Sequence, residues 1–325
     1  MKASNGKIQK SHWVLPVCIL IAVAIGVLVL HIWENRTPRP ESGGEPETAA
    51  QMHQEHPPKE GLTTILFMGL DKYQTPQDAM GYLNDQQADF LMLVVMDEKT
   101  GVCDLLHLNR DTMTEIRRLG VGGGEAGKFT GQLALSHTFG SGGSDSCLNT
   151  VKAVSKFLKG VKIDHYVAMT LEGVAVLNDL VGGVTVEVLD HMTDFDPYLV
   201  KGETVRLHGQ QALIYVRTRS GLEDSSNLHR MERQRQYLNN LYVQLMKCMN
   251  EDQGFLNESL LELTSYFQSD CSVNQLDALG QKLRECQVRP ITVIDGEAVK
   301  GEEFIEFYAD EQSLDDVLIT LFCES

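Results

Sequence analysis

CLNTVKAVSKFLKGVKIDHYVAMTLEGVAVLNDLVGGVTVEVLD, residues 147–190, sets the fold class. The segment 147–160 is amphipathic at helical spacing and stops at Gly160. DHYVAMT (164–170) is a short run of strand-forming residues. LEGVAVLNDLVGG (171–183) has helical length and ends on two glycines, and VTVEVLD (184–190) alternates as a strand. Strands alternating with helices predict an α/β domain, layered around a mixed sheet. Upstream, TTILFMGLD (63–71), ADFLMLVVMD (88–97) and VCDLLHLNRD (102–111) read as three strands. The last two form a hairpin across the four residues 98–101. The polar stretch 72–87 and the glycine-rich stretch 120–146 read as loops, the second long enough to cover a site. Residues 191–209 read as irregular.

The chain has 325 residues, with 42% hydrophobic content, enough for a sizeable core. Its formal net charge of −17 argues against nucleic acid as a partner. Residues 251–325 hold 17 Asp+Glu against 4 Lys+Arg, a net of −13. This acidic segment, 250–325, is expected to be an accessory piece, with helices at 255–267, 274–286 and 311–322 and strands at 290–299 and 303–310.

At the other end, residues 1–12 carry three lysines and no acid. WVLPVCILIAVAIGVLVLHIW (13–33) has no charge and a tryptophan at each end. Its length and flanks predict one transmembrane helix with a cytoplasmic tail at 1–12. No A-x-A cleavage site follows, so the segment reads as an uncleaved anchor rather than a signal peptide. Residues 34–60, rich in Pro, Glu and Gly, read as an extracellular linker. The folded domain is expected at 61–249, outside the cell membrane.

QQALIYVRTRSGLEDSSNLHRMERQRQ (210–236) carries the chemistry. The apolar run 212–216 reads as a strand, which would put Arg217 and Arg219 on one face. A helix opening near Leu228 carries Arg230, Arg233 and Arg235. Five arginines and no lysine within nineteen residues of an acidic chain point to an anion site, because guanidinium forks around phosphate oxygens. The bland alternative is surface ion pairing with Glu223, Asp224 and Glu232. Asp71 and Asp89 lie at strand ends, where Asp is also common in turns. Together with Arg110 and Asp111 they would suit Mg²⁺ and a pyrophosphate. Asp111 could equally cap a following helix. His107, inside an apolar strand, reads as a satisfied core residue.

ILFMGLD, the opening of ADFLMLVV, LLHLNRD, LVGGV, LHGQQALIYVRTR and LHRMERQRQ occur in an order that resembles the LytR-CpsA-Psr family of cell-wall glycopolymer ligases, over residues 61–247. The resemblance implies an α/β/α sandwich that moves a glycopolymer phosphate from a polyprenyl pyrophosphate carrier to peptidoglycan. It implies Asp71 and Asp89 as Mg²⁺ ligands. It places Arg110, Asp111, Arg217 and Arg219 at the reacting pyrophosphate and Lys128, Arg230, Arg233 and Gln234 around the substrate. Three positions depart from the family pattern. Gln87 stands where Arg is frequent, Asn109 replaces the usual Pro, and Asn227 replaces a common Asp. A pyrophosphatase using water would need the same residues. A non-enzymatic envelope protein or transcriptional attenuator is the third reading, and a tail of about twelve residues is too short for a DNA-binding fold. The seven cysteines show no metal spacing. Cys271 and Cys286 are expected to pair, whereas Cys18 and Cys103 are expected to be free.

Overall fold

In the computed structural model, three antiparallel strands lead into a crossover and build half of a six-stranded sheet. The structure describes residues 57–71, 86–119, 124–218, 227–301 and 304–324. All of these fall in a unit spanning Glu45–Ser325, separate from residues 1–44. The expected tail, membrane helix and nearly all of the linker lie outside the described residues. Among the described residues no helix is long and apolar enough to cross a membrane.

Strands β1 (Leu62–Leu70), β2 (Ala88–Asp97) and β3 (Val102–Leu108) follow the sequence reading closely. Asp97 pairs with Val102 across the four-residue turn. β4 (Met113–Leu119) and β5 (Glu125–Gln132) form a hairpin whose second strand falls in the 120–146 stretch read as a loop. Their exposed faces carry Gly and charged residues, so they lack the apolar alternation that marks a strand in sequence.

Helix α1 (Gly143–Phe157) leads to β6 (His165–Thr170) and α2 (Leu171–Leu180). Thr170 caps α2 by accepting from the Gly173 amide at 3.3 Å. Gly182 and Gly183, at φ +79° and +90°, then end it in a turn that only glycine adopts without strain. β7 (Val184–Glu187) pairs with β8 (Thr204–Leu207) in a separate ribbon. α3 (Gly209–Arg217) and α4 (Asn227–Glu251) follow. The chain ends with α5 (Phe255–Glu262), β9 (Phe267–Ser269), α6 (Val273–Glu285), β10 (Gln287–Val288), β11 (Gly296–Lys300), β12 (Ile305–Ala309) and α7 (Glu311–Phe322).

The central sheet is mixed, in the order β10-β3-β2-β1-β6-β9. β1 and β6 are parallel, as are β10 and β3. One face packs Leu66, Leu91, Leu93 and Leu106 against α1 and α7. The other packs Ile65, Met92 and Val94 against α6 and parts of α4 and α5. Alternation along each strand supplies both faces with apolar side chains, which is why these strands read as continuous apolar runs. Each of those four buried leucines contributes about 1.5–3 kcal/mol. A third cluster joins β7, β8, α2, α3 and α4. The result is the expected helix–sheet–helix layering. Residues 250–325, read as accessory, supply both edge strands of the sheet.

Two sequence readings need correction. The run 212–216 is helical, not extended. Ala212, Tyr215 and Val216 are its buried apolar residues, at helical spacing, and the His208 amide donates to Gln211 Oε1 at 3.4 Å at its start. Periodicity alone cannot separate five consecutive apolar residues into helix or strand. No disulfide joins Cys271 and Cys286. They flank the thirteen residues of α6, which at 1.5 Å per residue holds them roughly 20 Å apart, beyond the reach of a disulfide. Cys103 is free, as expected.

Two buried imidazoles make folding sensitive to acid. Burial, with Arg235 and Arg230 nearby, lowers His107 from the usual 6.5 to about 3. Burial lowers His137 to about 4, against a hydrogen bond with the Gln86 carbonyl. Unfolded imidazoles take up protons below about pH 6.5 and these folded ones do not. The stability is therefore complete above that pH and is lost as pH falls toward 4. Each contributes a slope of about 1.4 kcal/mol per pH unit in that window. Thermal melts between pH 7.5 and 4.5 should show the fall, and His137→Gln should flatten it. An unchanged slope in that variant would refute the assignment.

Candidate functional site

The end of β1, the start of β2 and the turn after β3 meet at one edge of the sheet. Asp71, just past β1, and Gln87, just before β2, are tied reciprocally. The Asp71 amide donates to the Gln87 carbonyl at 3.1 Å, and the Gln87 amide donates to Asp71 Oδ1 at 2.7 Å. This brings the two candidate metal-binding carboxylates, Asp71 and Asp89, to neighbouring strand ends.

Asp89 is clamped from two sides. Arg110 Nη1 bonds its Oδ1, and Arg230 Nη1 reaches its Oδ2 at 3.3 Å. Arg230 Nη2 also contacts the Asp89 carbonyl at 3.4 Å. Arg110 and Arg230 are 5% and 1% exposed. Buried guanidinium groups demand such pairing, since leaving either alone would strand a charge. Gln87 belongs to this shell too. Arg110 Nη2 donates to its Oε1 at 2.6 Å, so the residue that looked like a missing cation is an acceptor that orients Arg110.

Asp111 is buried and turned inward. Its carboxylate lies 3.2 Å from Arg110 Nε and accepts from Gln132 Nε2 at 3.1 Å. A strand, not a helix, follows it, so it caps no helix. Asn109 and Asn227, the other two departures from the family pattern, are partners. Asn227 Nδ2 donates to Asn109 Oδ1 at 2.6 Å. The Asp111 amide also donates to Asn109 Oδ1, at 3.0 Å, and Arg230 donates to Asn227 Oδ1. The Asp111 and Arg230 partners are donors only, so they fix which way each carboxamide points. The two asparagines link the Arg110–Asp111 turn to the start of α4.

Arg233 and Gln234 do another job. Arg233 Nε donates to the Tyr215 carbonyl at 2.9 Å, Nη2 to the Thr218 carbonyl, and Nη1 to Asp190. Gln234 Nε2 donates to the Val216 carbonyl at 3.1 Å. Together they satisfy orphan carbonyls at the end of α3. Arg233 is 0% exposed and acts on the chain rather than on solvent. Arg217 is the exposed last residue of α3, followed by an extended Thr218 at φ −60°, ψ 131°. Arg217 thus ends a helix rather than the expected strand, and Arg219 lies outside the described residues. Lys128 is on the β4–β5 hairpin, ion-paired with Glu115 at 3.0 Å. It is not among the contacts of this cluster.

His107 is a neutral core imidazole, its ring tilted 46° against Phe90 with centroids 5.0 Å apart. Its Nδ1 has no hydrogen-bond partner among the described residues, so it is not the satisfied core group expected. Sequence reasoning also missed Asp190 and Gln132. Asp190 ends an alternating strand just as Asp71 does, and that signal could have found it. Gln132 carries no such signal.

The donor set fits a hard divalent cation. Mg²⁺ takes one or two carboxylates, and each carboxylate oxygen has a second lone pair beyond those that the arginines occupy.

The LytR_cpsA_psr family model matches residues 38–321. Biofilm regulatory protein A of Streptococcus mutans serotype c is 28% identical over 192 residues, 56% of this chain and 44% of that protein. The polyisoprenyl-teichoic acid–peptidoglycan teichoic acid transferase TagU of Bacillus subtilis is 28% identical over 175 residues, 54% of this chain and 49% of that protein. The matches thus span about half the length of these two relatives. The crystal structure of B. subtilis TagV superimposes with a TM-score of 0.58 at 24% identity, covering 81% of this chain and 96% of that one. That likeness concerns the fold.

The asparagine pair yields a test. Asn227→Asp alone would set two acceptor oxygens 2.6 Å apart. It should destabilise by about 1–3 kcal/mol. Asn109→Pro with Asn227→Asp restores the family combination and removes that clash. The double variant should therefore melt above the sum of the singles, with a coupling of at least about 0.5 kcal/mol in denaturant titrations. Strict additivity would show that the pair is not coupled.

Proposed function

The chain belongs to the LytR_cpsA_psr family, and from that premise we propose that it transfers a glycopolymer phosphate from a polyprenyl pyrophosphate carrier to peptidoglycan, at the outer face of a cell membrane that residues 13–33 span. The observation that carries this reading is a pairing of charge with an apolar surface. Arg110 and Arg230 stand beside Asp89 at the strand ends. On the sheet face that packs against α4, Phe67 is 37% exposed although β1 is an interior strand of six. Gly69 follows on the same face, and a Cβ there would meet Phe90 at 2.9 Å. Arginines paired to carboxylates at the strand ends, with Arg217 exposed and Phe67 left partly uncovered, suit a donor with a pyrophosphate head and a hydrocarbon tail. TagU, the relative named above, is a transferase of this class by its name.

In this reading the acceptor hydroxyl attacks the phosphorus that carries the glycan. The bridging P–O bond breaks and polyprenyl phosphate leaves. Arg110, Arg230 and the exposed Arg217, with Arg219 beyond it, neutralise charge on the phosphate oxygens as the bond breaks. Arg233 and Gln234 keep the end of α3 in place and so aim Arg217. Asp111 is occupied by Arg110 and Gln132 and orients the guanidinium. Asp89 keeps 20% of its side-chain surface and is the carboxylate that receives the acceptor's proton. Mg²⁺ held by Asp71 and Asp89 would add Lewis-acid charge at the phosphate oxygens.

Single-turnover assays with a synthetic polyprenyl pyrophosphate-linked glycan and a peptidoglycan acceptor test this. Acceptor-linked product is expected, whereas free glycan phosphate as the sole product would make the protein a hydrolase. Arg219→Lys keeps charge but loses the fork, and should slow transfer on the order of a hundredfold with an unchanged melting temperature. Arg235→Ala should retain nearly full rate. EDTA should abolish turnover and Mg²⁺ restore it. Equal behaviour of the two variants, or indifference to EDTA, would overturn the site assignment.

A further inference from the structure

Far from the arginine cluster, three side chains of different donor type converge where the sheet ends. β6 pairs antiparallel with β9, with Val167 opposite Ser269. Two residues further along, the same register puts His165 across from Cys271, with Asp270 beside it. The donor atoms of all three lie within 4.8 Å of one another. His165 Nδ1 is 3.4 Å from Asp270 Oδ2, and Cys271 Sγ is 3.9 Å from Asp270 Oδ1. Four-coordinate zinc, with bonds of about 2.0–2.3 Å, separates neighbouring ligand atoms by roughly 3.3–3.8 Å. The His165–Asp270 spacing matches such an edge, the Cys271 spacing to the other Asp270 oxygen is just above it, and all three donors lie within 4.8 Å, so small side-chain rotations bring them to one ion. We propose that His165, Asp270 and Cys271 form a binding site for a zinc-class divalent cation, with water as the fourth ligand.

The donor chemistry selects the ion. A thiolate and an imidazole favour zinc over magnesium or calcium, which prefer oxygen throughout. Coordination releases one proton, from the Cys271 thiol. Neighbouring groups hold the ligands in advance. The Tyr166 amide donates to Asp270 Oδ1 at 2.9 Å. Ser269 Oγ accepts from the Cys271 amide at 3.0 Å and donates to the Tyr166 carbonyl at 2.6 Å. Such outer contacts orient metal ligands and raise affinity. Cys271 is buried, and His165 and Asp270 lie on the open side.

The position defines the role. In the parallel β1–β6 register, Ile65 stands beside His165 and Leu70 beside Thr170. Five residues, about 17 Å at 3.3 Å each, separate His165 from the strand end that leads to Asp71. The cation therefore takes no part in the proposed transfer. It fastens β9, an edge strand of only three residues, and the start of α6 to the sheet.

The full-length, tag-free protein in detergent micelles, stripped by chelator and dialysed, supplies the test. Added Zn²⁺ should remain at one equivalent per chain by elemental mass spectrometry and raise the melting temperature. Co²⁺ in its place should give a thiolate-to-metal charge-transfer band and tetrahedral visible absorption. His165→Ala, at a partly exposed position that folding tolerates, and Cys271→Ser should each lose the retained metal and the band. Cys286→Ser, with the thiol at the far end of α6 removed, should keep both. No stoichiometric uptake, or uptake unchanged in His165→Ala, overturns the proposal.

Discussion

The carboxylate of Asp89 between Arg110 and Arg230 is the interaction on which the rest of this protein depends. Two guanidinium groups almost wholly out of solvent are tolerable only with a counter-charge at hydrogen-bond distance. That requirement fixes the ends of β2 and β3 against the first turn of α4. It also explains why the surrounding side chains are acceptors. Gln87, Asp111 and the Asp89 carbonyl all face guanidinium nitrogens. Removing Asp89 would leave two buried cations facing each other, so its loss would damage the fold as well as the chemistry.

A second arrangement carries this order to the exposed arginine. α3 ends at Arg217, and a helix end leaves carbonyls without partners. Arg233 and Gln234 from α4 supply the donors for Tyr215, Val216 and Thr218. The arginine-rich segment thus divides its labour. Arg230 faces the carboxylate centre, Arg233 holds backbone, and Arg217 remains at the surface. Asp190 completes the arrangement by taking the remaining charge of Arg233.

The C-terminal quarter closes the molecule rather than decorating it. β9 and β10 cover the two edges of the central sheet, which would otherwise present unpaired amides and carbonyls. β12 reaches the site itself. The Phe307 amide donates to the Asp111 carbonyl at 2.9 Å, and Gln132 bridges Asp111 to the Ile305 carbonyl. The acidic charge of this segment is spread over exposed helix and hairpin faces, so it coexists with an apolar interior at Leu314, Leu318 and Leu321.

Local pattern determined a good deal. The runs at 63–71 and 88–97, the four-residue hairpin turn, the helix–glycine–strand succession after residue 164 and the helix at 311–322 were all legible, because apolar periodicity and turn residues act within a few positions. The concentration of arginine in an acidic chain was legible as a demand for anions. Tertiary structure decided the rest, because the deciding partners are distant in sequence. Residues 212–216 are a helix because Ala212, Tyr215 and Val216 find a core made by β7, β8 and α4. Asn109 and Asn227 looked like separate losses, yet 118 residues apart they donate and accept between themselves. Cys271 and Cys286 were read as a pair although the sequence set a helix between them, and that helix keeps them apart. Sequence specified the charges and the strands; only the packing of α4 across the sheet decided which arginine meets the carboxylate and which one holds the backbone.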